Sequence, residues 1–94
     1  MYGLEIKEEA DKIFPKISKK NPKLLKIIDK KINSIRKNPD HRYKFLKKSL
    51  RSFNRVHVDK HFVLIFKIDH SRKTIVIYHF DHHDRVYKWS PRGD

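Results

Sequence analysis

The first part of the chain carries the apolar periodicity of two amphipathic helices between residues 8 and 38. In the first helix the apolar residues recur at i, i+3, i+4 and i+7, and they are Ala10, Ile13, Phe14 and Ile17. This spacing places side chains on a single helix face. Pro15 lies within that stretch and has no amide donor, so we expect it to kink or split the helix.

A second helix should begin at "KKNPK", because Asn21 suits an N-cap and Pro22 suits the first helical position. Its buried stripe should consist of Leu24, Leu25, Ile28, Ile32 and Ile35. The stretch "KNPD" at residues 37–40 should end it. The two helices then form an antiparallel hairpin with a basic outer surface.

The second half of the chain has the patterns of β-strands. Polar Arg55, His57 and Asp59 alternate with valines, which predicts a half-buried strand. "HFVLIFKID" at 61–69 is apolar on both faces, as a central strand is, and "TIVIYHF" at 74–80 forms the next strand after the turn "DHSRK". A short N-terminal strand is indicated by Tyr2, Leu4 and Ile6.

These elements predict a single α+β domain over residues 1–94 in the order β-α-α-β-β-β. An N-terminal strand and a two-helix antiparallel hairpin should pack on a twisted, mostly antiparallel sheet of about four strands.

The charge balance indicates a polyanionic partner. Lys and Arg total 24 against 11 Asp and Glu, a net charge of +13, and this excess opposes compaction unless an anionic partner offsets it. The absence of cysteine excludes disulfides and thiolate metal sites. No apolar run approaches membrane-spanning length and no signal-peptide pattern begins the chain, so we expect a cytoplasmic protein without a membrane partner.

Histidines are the candidate chemistry, and all seven lie in one stretch: His41, His57, His61, His70, His79, His82 and His83. "HVDKH" and "HFDHH" offer imidazoles and carboxylates that zinc accepts. However, the spacing suits zinc poorly, and the chain has neither an HExxH motif nor a cysteine. We therefore expect no metal and no other cofactor.

Acid–base chemistry on RNA is the second hypothesis, because histidine exchanges protons near physiological pH. RNA supplies its own nucleophile, the 2′-hydroxyl, and needs a base, an acid and a cation for the developing phosphate charge. The candidate proton-transfer residues are His57, His61, His82 and His83, and the candidate cations are Arg55, Lys48 and Arg51. Taken alone, any one of these histidines is better explained as a solvated side chain at a strand end.

The basic stretch "RYKFLKKSLRSFNR" at 42–55 interleaves Tyr43, Phe45 and Phe53 with cations. Aromatics among cations are typical of surfaces that bind single-stranded RNA. The same aromatics also suit core packing, and we expect them to lie mainly in the core with the cations outward. In "YHFDHHDRVYKW", we expect His79 to be structural, Asp84 and Arg85 to form local ion pairs, and Trp89 to anchor the tail.

The segments "RVHVDKHFVLIFKID" and "HHDRVY" in a basic chain of this element order resemble the RelE/ParE superfamily of type II toxin–antitoxin toxins, in particular its RelE/YafQ-like mRNA interferase branch. The resemblance implies a RelE-like fold and a metal-independent endoribonuclease that cuts mRNA in the ribosomal A site and inhibits translation. It also implies a cognate antitoxin with an acidic or amphipathic wrapping segment.

Carried over by position, the resemblance implies proton transfer by His57 and His83, with His61 and His82 as alternates. It places Arg55 at the phosphate and Tyr87 near the substrate. Further RNA contacts are expected from Lys47, Lys48, Arg51, Arg85 and Lys88.

Two positions depart from the family pattern. The chain has His61 where the YafQ-like branch has an aspartate, and Phe62 where RelE-type members have a second arginine. The choice between base and acid therefore stays open. Two other functions also stay open: a non-catalytic RNA- or ribosome-binding module with structural histidines, and a ParE-like toxin that inhibits DNA gyrase. The histidines favour the ribonuclease.

Overall fold

The sheet of the protein has five strands in the order β1-β5-β4-β3-β2, as seen in a computed structural model that describes residues 1–91. The elements, in chain order, are β1 (Gly3–Ile6), α1 (Glu8–Lys20), α2 (Pro22–Lys37), β2 (Lys44–Phe45), a 3-10 turn (Lys48–Leu50), β3 (Asn54–Val58), β4 (Phe62–Asp69), β5 (Thr74–His82) and α3 (His83–Val86). The α+β class and the predicted element order are confirmed. The predicted domain also includes residues 92–94, which lie outside the described residues.

Strand pairing is antiparallel except at one edge, where β1 runs parallel to β5 and Gly3 pairs with Thr74. On the other edge β2 pairs with β3, so the sheet has one strand more than the sequence predicted. Two residues are too few to create an alternating pattern, which is why β2 was missed. None of the helices formed by residues 1–91 has the length and apolar character needed to cross a bilayer.

Helix α1 passes through Pro15 as one continuous element, so the expected split is wrong. The helix is held by its apolar face: Ala10 is fully buried, and the rings of Phe14 and Phe80 lie 6.3 Å apart. Tertiary packing of this kind outweighs a local break because most helical stability in proteins comes from such packing.

Helix α2 begins as predicted, since the Asn21 side chain accepts a hydrogen bond from the Leu24 amide at 3.2 Å and Pro22 is its first residue. Leu25 is only half-buried, whereas the rest of the predicted stripe is buried: Leu24, Ile28, Ile32 and Ile35. The helix ends at Lys37, as "KNPD" indicated. Its outer surface carries exposed lysines at positions 23, 26, 30 and 37.

Two hydrophobic cores lie on opposite faces of the sheet, because alternate residues of a strand point to opposite sides. Leu64 and Phe66 of β4 face the helices. The intervening residues face the other way and join a second core, which consists of Leu46, Phe53, Val63, Ile65 and Val86. This second core includes Leu46 and Phe53 from the segment before β3 and Val86 from α3, and both segments contribute residues to the candidate site.

The aromatics of the basic stretch separate in the fold. Phe53 is buried in the second core, and Tyr43 is half-buried with its ring 5.3 Å from Phe66. Phe45 is 55% exposed, so its expected burial is wrong. Its position explains the exposure, because β2 is an edge strand and no strand covers it.

The end of the sheet at β5 differs from the prediction. The strand continues to His82, two residues past the predicted end, and leads directly into α3. The His82 side chain caps α3 by accepting a hydrogen bond from the Asp84 amide at 3.2 Å. Val86 anchors the other end of this helical turn in the second core.

Candidate active site

Three of the candidate histidines meet where the β3–β4 turn lies beside the junction of β5 and α3. His61 comes from the turn, His82 from the strand end and His83 from the start of the helix. The ring centroids of His82 and His83 are 4.7 Å apart, and those of His61 and His82 are 6.0 Å apart with nearly parallel planes. The pairing of Phe62 with His82 across the sheet brings the turn to the strand end. We call these three residues the histidine cluster.

The His83 imidazole has an acceptor at each ring nitrogen. Its Nδ1 lies 3.1 Å from the His61 carbonyl oxygen, which also accepts the His83 backbone amide at 2.8 Å. Its Nε2 lies 3.0 Å from Asp84 Oδ1. A carbonyl and a carboxylate are both acceptors, so a ring nitrogen that forms a hydrogen bond to either of them is the donor.

His82 is held differently. Because its Nδ1 accepts a hydrogen bond from the Asp84 amide, that nitrogen carries a lone pair and the proton of the neutral ring lies on Nε2. Asp84 Oδ2 is 3.4 Å from the same Nδ1. Asp84 therefore contacts two histidines at once, and each of these contacts is an ion pair only where the ring concerned is protonated.

A cationic groove of about 510 Å³ lies between the 3-10 turn, β3 and the end of α3. Its lining residues are Leu46, Lys47, Lys48, Leu50, Arg55 and Tyr87. Four of these were predicted site residues, and the two leucines that complete the wall were not. Leu46 and Leu50 carry no chemical signal in the sequence, so they are recognised only once the chain is folded.

Individual groove residues differ in exposure and conformation. Tyr87 is 54% exposed, and the Arg55 Nε donates to the Phe45 carbonyl oxygen at 3.4 Å. Lys48 has a φ of 59°, a left-handed conformation that costs a non-glycine residue about 1–2 kcal/mol and is common at binding sites.

The remaining predicted site residues are more dispersed. His57 shares a face of β3 with Arg55 and is exposed, and within residues 1–91 its side chain makes no hydrogen bond, ion pair or ring contact. His57 pairs with Val63 of β4, and Val63 pairs with Asp81 of β5. Two strand spacings, about 10 Å, therefore separate β3 from β5, the strand that ends at the histidine cluster. His57 therefore does not join this cluster.

Three predicted RNA contacts lie outside the groove lining: Arg51, Arg85 and Lys88. All three are exposed, and Arg85 is engaged by Asp81 at 3.3 Å, as the predicted local pairing implied.

The segment that follows α3 contacts helix α1 through Trp89. Trp89 Nε1 donates to Glu9 Oε2 at 2.6 Å, and the Trp89 ring stacks on His79 with centroids 5.4 Å apart. His79 Nδ1 lies 2.8 Å from the same carboxylate oxygen, without the geometry of a hydrogen bond. The structural role expected for His79 and the anchoring role expected for Trp89 are both consistent with these contacts.

Comparison with known proteins decides the family. Residues 4–87 match the sequence model of the family described as the ParE toxin of type II toxin–antitoxin system, parDE. The chain belongs to the RelE/ParE superfamily of toxins. A toxin candidate of Methanocaldococcus jannaschii, RelE4, is 50% identical to this toxin over 88 residues, which cover 94% of this chain and 93% of the relative.

Solved structures share the fold at low sequence identity. The isolated Escherichia coli RelE toxin superposes with a TM-score of 0.72 at 13% identity, covering 87% of this toxin and 84% of that chain. A chain of the YoeB–YefM complex from Staphylococcus aureus gives 0.72 at 18% identity, covering 88% and 98%. Likeness at this identity extends to the RelE-like fold alone.

Proposed function

We propose that this toxin is a ribosome-dependent mRNA endonuclease that cleaves by attack of the RNA 2′-hydroxyl and thereby inhibits translation. The observation that carries the proposal is the cationic groove with Arg55 and Tyr87 in its wall, because Tyr87 directly follows α3, the helix that begins at His83. His83 and Tyr87 are four residues apart, a spacing that puts side chains on one helix face.

In the proposed reaction His57 takes the proton from the 2′-hydroxyl as the oxygen attacks phosphorus. The P–O5′ bond breaks, the leaving 5′-oxygen receives a proton from His83, and the other product carries a 2′,3′-cyclic phosphate. The exposed His57 suits the base, and the double acceptor environment of His83 suits the acid.

Charge on the non-bridging oxygens is assigned to Arg55, with Lys47 and Lys48 holding flanking phosphates. The exposed ring of Tyr87 is assigned to stacking on a base. His61 supports His83 through its carbonyl oxygen, and His82 does so by capping α3. These two are positioning residues in this scheme, and catalysis needs no metal.

A cognate antitoxin is part of the proposal. The net charge of +13 favours an acidic wrapping segment, and a chain that shares this fold was solved in the YoeB–YefM complex. Both the proposed ribosomal substrate and the antitoxin place the toxin in the cytoplasm.

The test is induced expression of the wild type, His57→Ala and His83→Ala, with RNA 5′ ends mapped after induction. His70→Ala is the matched control, because His70 follows β4 at the turn into β5 and contacts Tyr2 rather than the groove. Wild type and control should arrest translation and create new 5′ ends on translated mRNA, and both site variants should lose at least about 100-fold in cleavage, the scale of general acid–base catalysis.

Equal arrest by all four chains would contradict the residue assignment. RNA binding without cleavage would indicate a non-catalytic module, and DNA damage signalling without new 5′ ends would indicate gyrase inhibition. A neighbouring gene for a short acidic protein whose co-expression relieves the arrest would identify the antitoxin.

A further inference from the structure

The histidine cluster has a ligand arrangement that proton transfer alone does not require. His61, His82 and His83 each offer one ligand nitrogen, and these nitrogens all lie within 4.8 Å of one another. Three imidazoles with a fourth position left open are a ligand set that zinc accepts. We propose that the cluster binds a divalent ion of the zinc class and that occupancy silences the toxin, the second part resting on the proposed ribonuclease function.

The cluster needs only a small adjustment to hold such an ion. Zn–N bonds of about 2.0–2.1 Å put tetrahedral ligand nitrogens roughly 3.4 Å apart, so the rings must approach by up to about 1.4 Å. The His61 ring is exposed on a turn and, among residues 1–91, makes only ring contacts, at centroid distances of 6.0 and 6.3 Å, so rotation of its side chain supplies the movement. The backbones already stand in place, because the His83 amide donates to the His61 carbonyl.

The surroundings of the cluster also match those of a metal site. A metal-binding histidine usually donates its second ring N–H to a carbonyl or carboxylate, and the His83 Nδ1 at 3.1 Å from the His61 oxygen leaves Nε2 for the ion. Asp84 lies within 3.4 Å of ring nitrogens of both His82 and His83, so its carboxylate is placed to become a fourth ligand and to offset the added charge.

Silencing follows from competition for one nitrogen. A histidine nitrogen binds metal only without its proton. The Nε2 that would coordinate the ion is a nitrogen of the proposed acid, so a bound ion and a transferable proton exclude each other there. Coordination through His82 Nδ1 would in addition displace the hydrogen bond that caps α3.

No other set of three His, Asp or Glu residues within the described part of the chain has this closeness. The net charge of +13 works against cation binding in general, which makes unspecific capture of zinc by the surface weak. Affinity must therefore come from the ligands themselves, and single substitutions should reveal it.

Zinc affinity and stoichiometry are measured on the purified chain by competition with a chromophoric zinc chelator, and Co²⁺ absorption reports the coordination number. The wild type should bind one ion per chain with the bands of four-coordinate cobalt. In His61→Ala and His82→Ala the zinc affinity should fall by more than the roughly 10- to 100-fold that the loss of a hydrogen-bond partner of a metal ligand costs. His57→Ala and His70→Ala are the matched controls and should bind as the wild type does.

His61→Gln serves as a second variant, because an exposed turn residue tolerates this change without loss of the fold, which circular dichroism checks. Equal zinc binding by the wild type and the His61 variants would identify adventitious surface binding and overturn the site. Absence of binding by the wild type would overturn it as well.

Cleavage in a translating extract is then compared with zinc and with a chelator. Zinc should abolish wild-type cleavage at the zinc concentrations at which the chelator assay shows an occupied site. The cleavage activity that His61→Ala retains should not change with zinc at those concentrations. Unchanged wild-type cleavage at full occupancy would overturn the silencing. A wild type that binds zinc but never cleaves would refute the proposed function and leave the metal site standing.

Discussion

Val86 is the side chain that fastens α3 to the sheet, and its truncation gives a quantitative test of the site's architecture. It is fully buried in the second core. Val86→Ala removes two methyl groups, which at about 0.8 kcal/mol each costs about 1.6 kcal/mol in lost burial. A residual cavity of roughly 40 Å³ adds about 1 kcal/mol at about 24 cal/mol per Å³. We expect the free energy of unfolding to fall by about 2–3 kcal/mol.

The matched control is Val58→Ala, which removes the same atoms from a fully buried position in the core beneath the helices. Urea unfolding followed by circular dichroism should give similar losses for both variants. Fluorescence of Trp89, the single tryptophan, should shift only in Val86→Ala, because the Trp89 side chain packs against the second core, which contains Val86 and not Val58.

RNA cleavage should separate the two variants further. Val86→Ala should lose activity beyond its loss of folded protein, because α3 carries His83. A stability loss below about 1 kcal/mol, or equal loss of activity in both variants, would refute the view that burial of Val86 positions the site.

Two further predictions concern stability. Asn21→Ala should lower the free energy of unfolding by about 1 kcal/mol, because the Leu24 amide loses its side-chain acceptor, while Asn21→Ser should retain most of it; equal urea midpoints for the three chains would contradict the cap. Hydrogen bonds from Arg72, above all, and from Ser71 hold the pKa of Asp69 well below its ordinary value of 3.8. Since a carboxylate with a lowered pKa stabilises the fold above its unfolded-state value, Asp69→Asn should be less stable than the wild type near neutral pH, and the difference should shrink as the pH falls below 3.8. A difference that grows towards acid pH in urea titrations would contradict this.

The sequence predicted those elements whose apolar residues repeat at a regular spacing. Both helices and the three long strands have such repeats, and their bounds agree with the fold to within two residues. The elements that escaped prediction, β2 and α3, are two and four residues long, too short for a period. Their conformations depend on partners distant in sequence, such as Val63 beneath Val86. Pro15 shows the opposite error, a local rule outweighed by packing.

The site was predicted in its chemistry more than in its arrangement. Basic and aromatic residues that the sequence singled out do line one groove, with Arg55 and Tyr87 on the same side of the sheet. The histidine cluster depends on the register that pairs Phe62 with His82. The predicted β5 ended at residue 80, two residues before His82, so the prediction did not include this pairing. Register is fixed by turns and by the whole buried face, and one strand's own pattern does not contain it.

The parallel pairing of β1 with β5 constrains how the chain reaches this structure. Gly3 meets Thr74, so the first strand made has no partner until nearly four-fifths of the chain exists. Contacts that span so much sequence raise the contact order, and closing them slows folding relative to a helical protein of this size. During synthesis the faces of α1 and α2 that pack on the sheet stay exposed to solvent until the strands that bury them have been made. The rate-limiting event in refolding should therefore be the pairing of β1 with β5 of the β4–β5 hairpin.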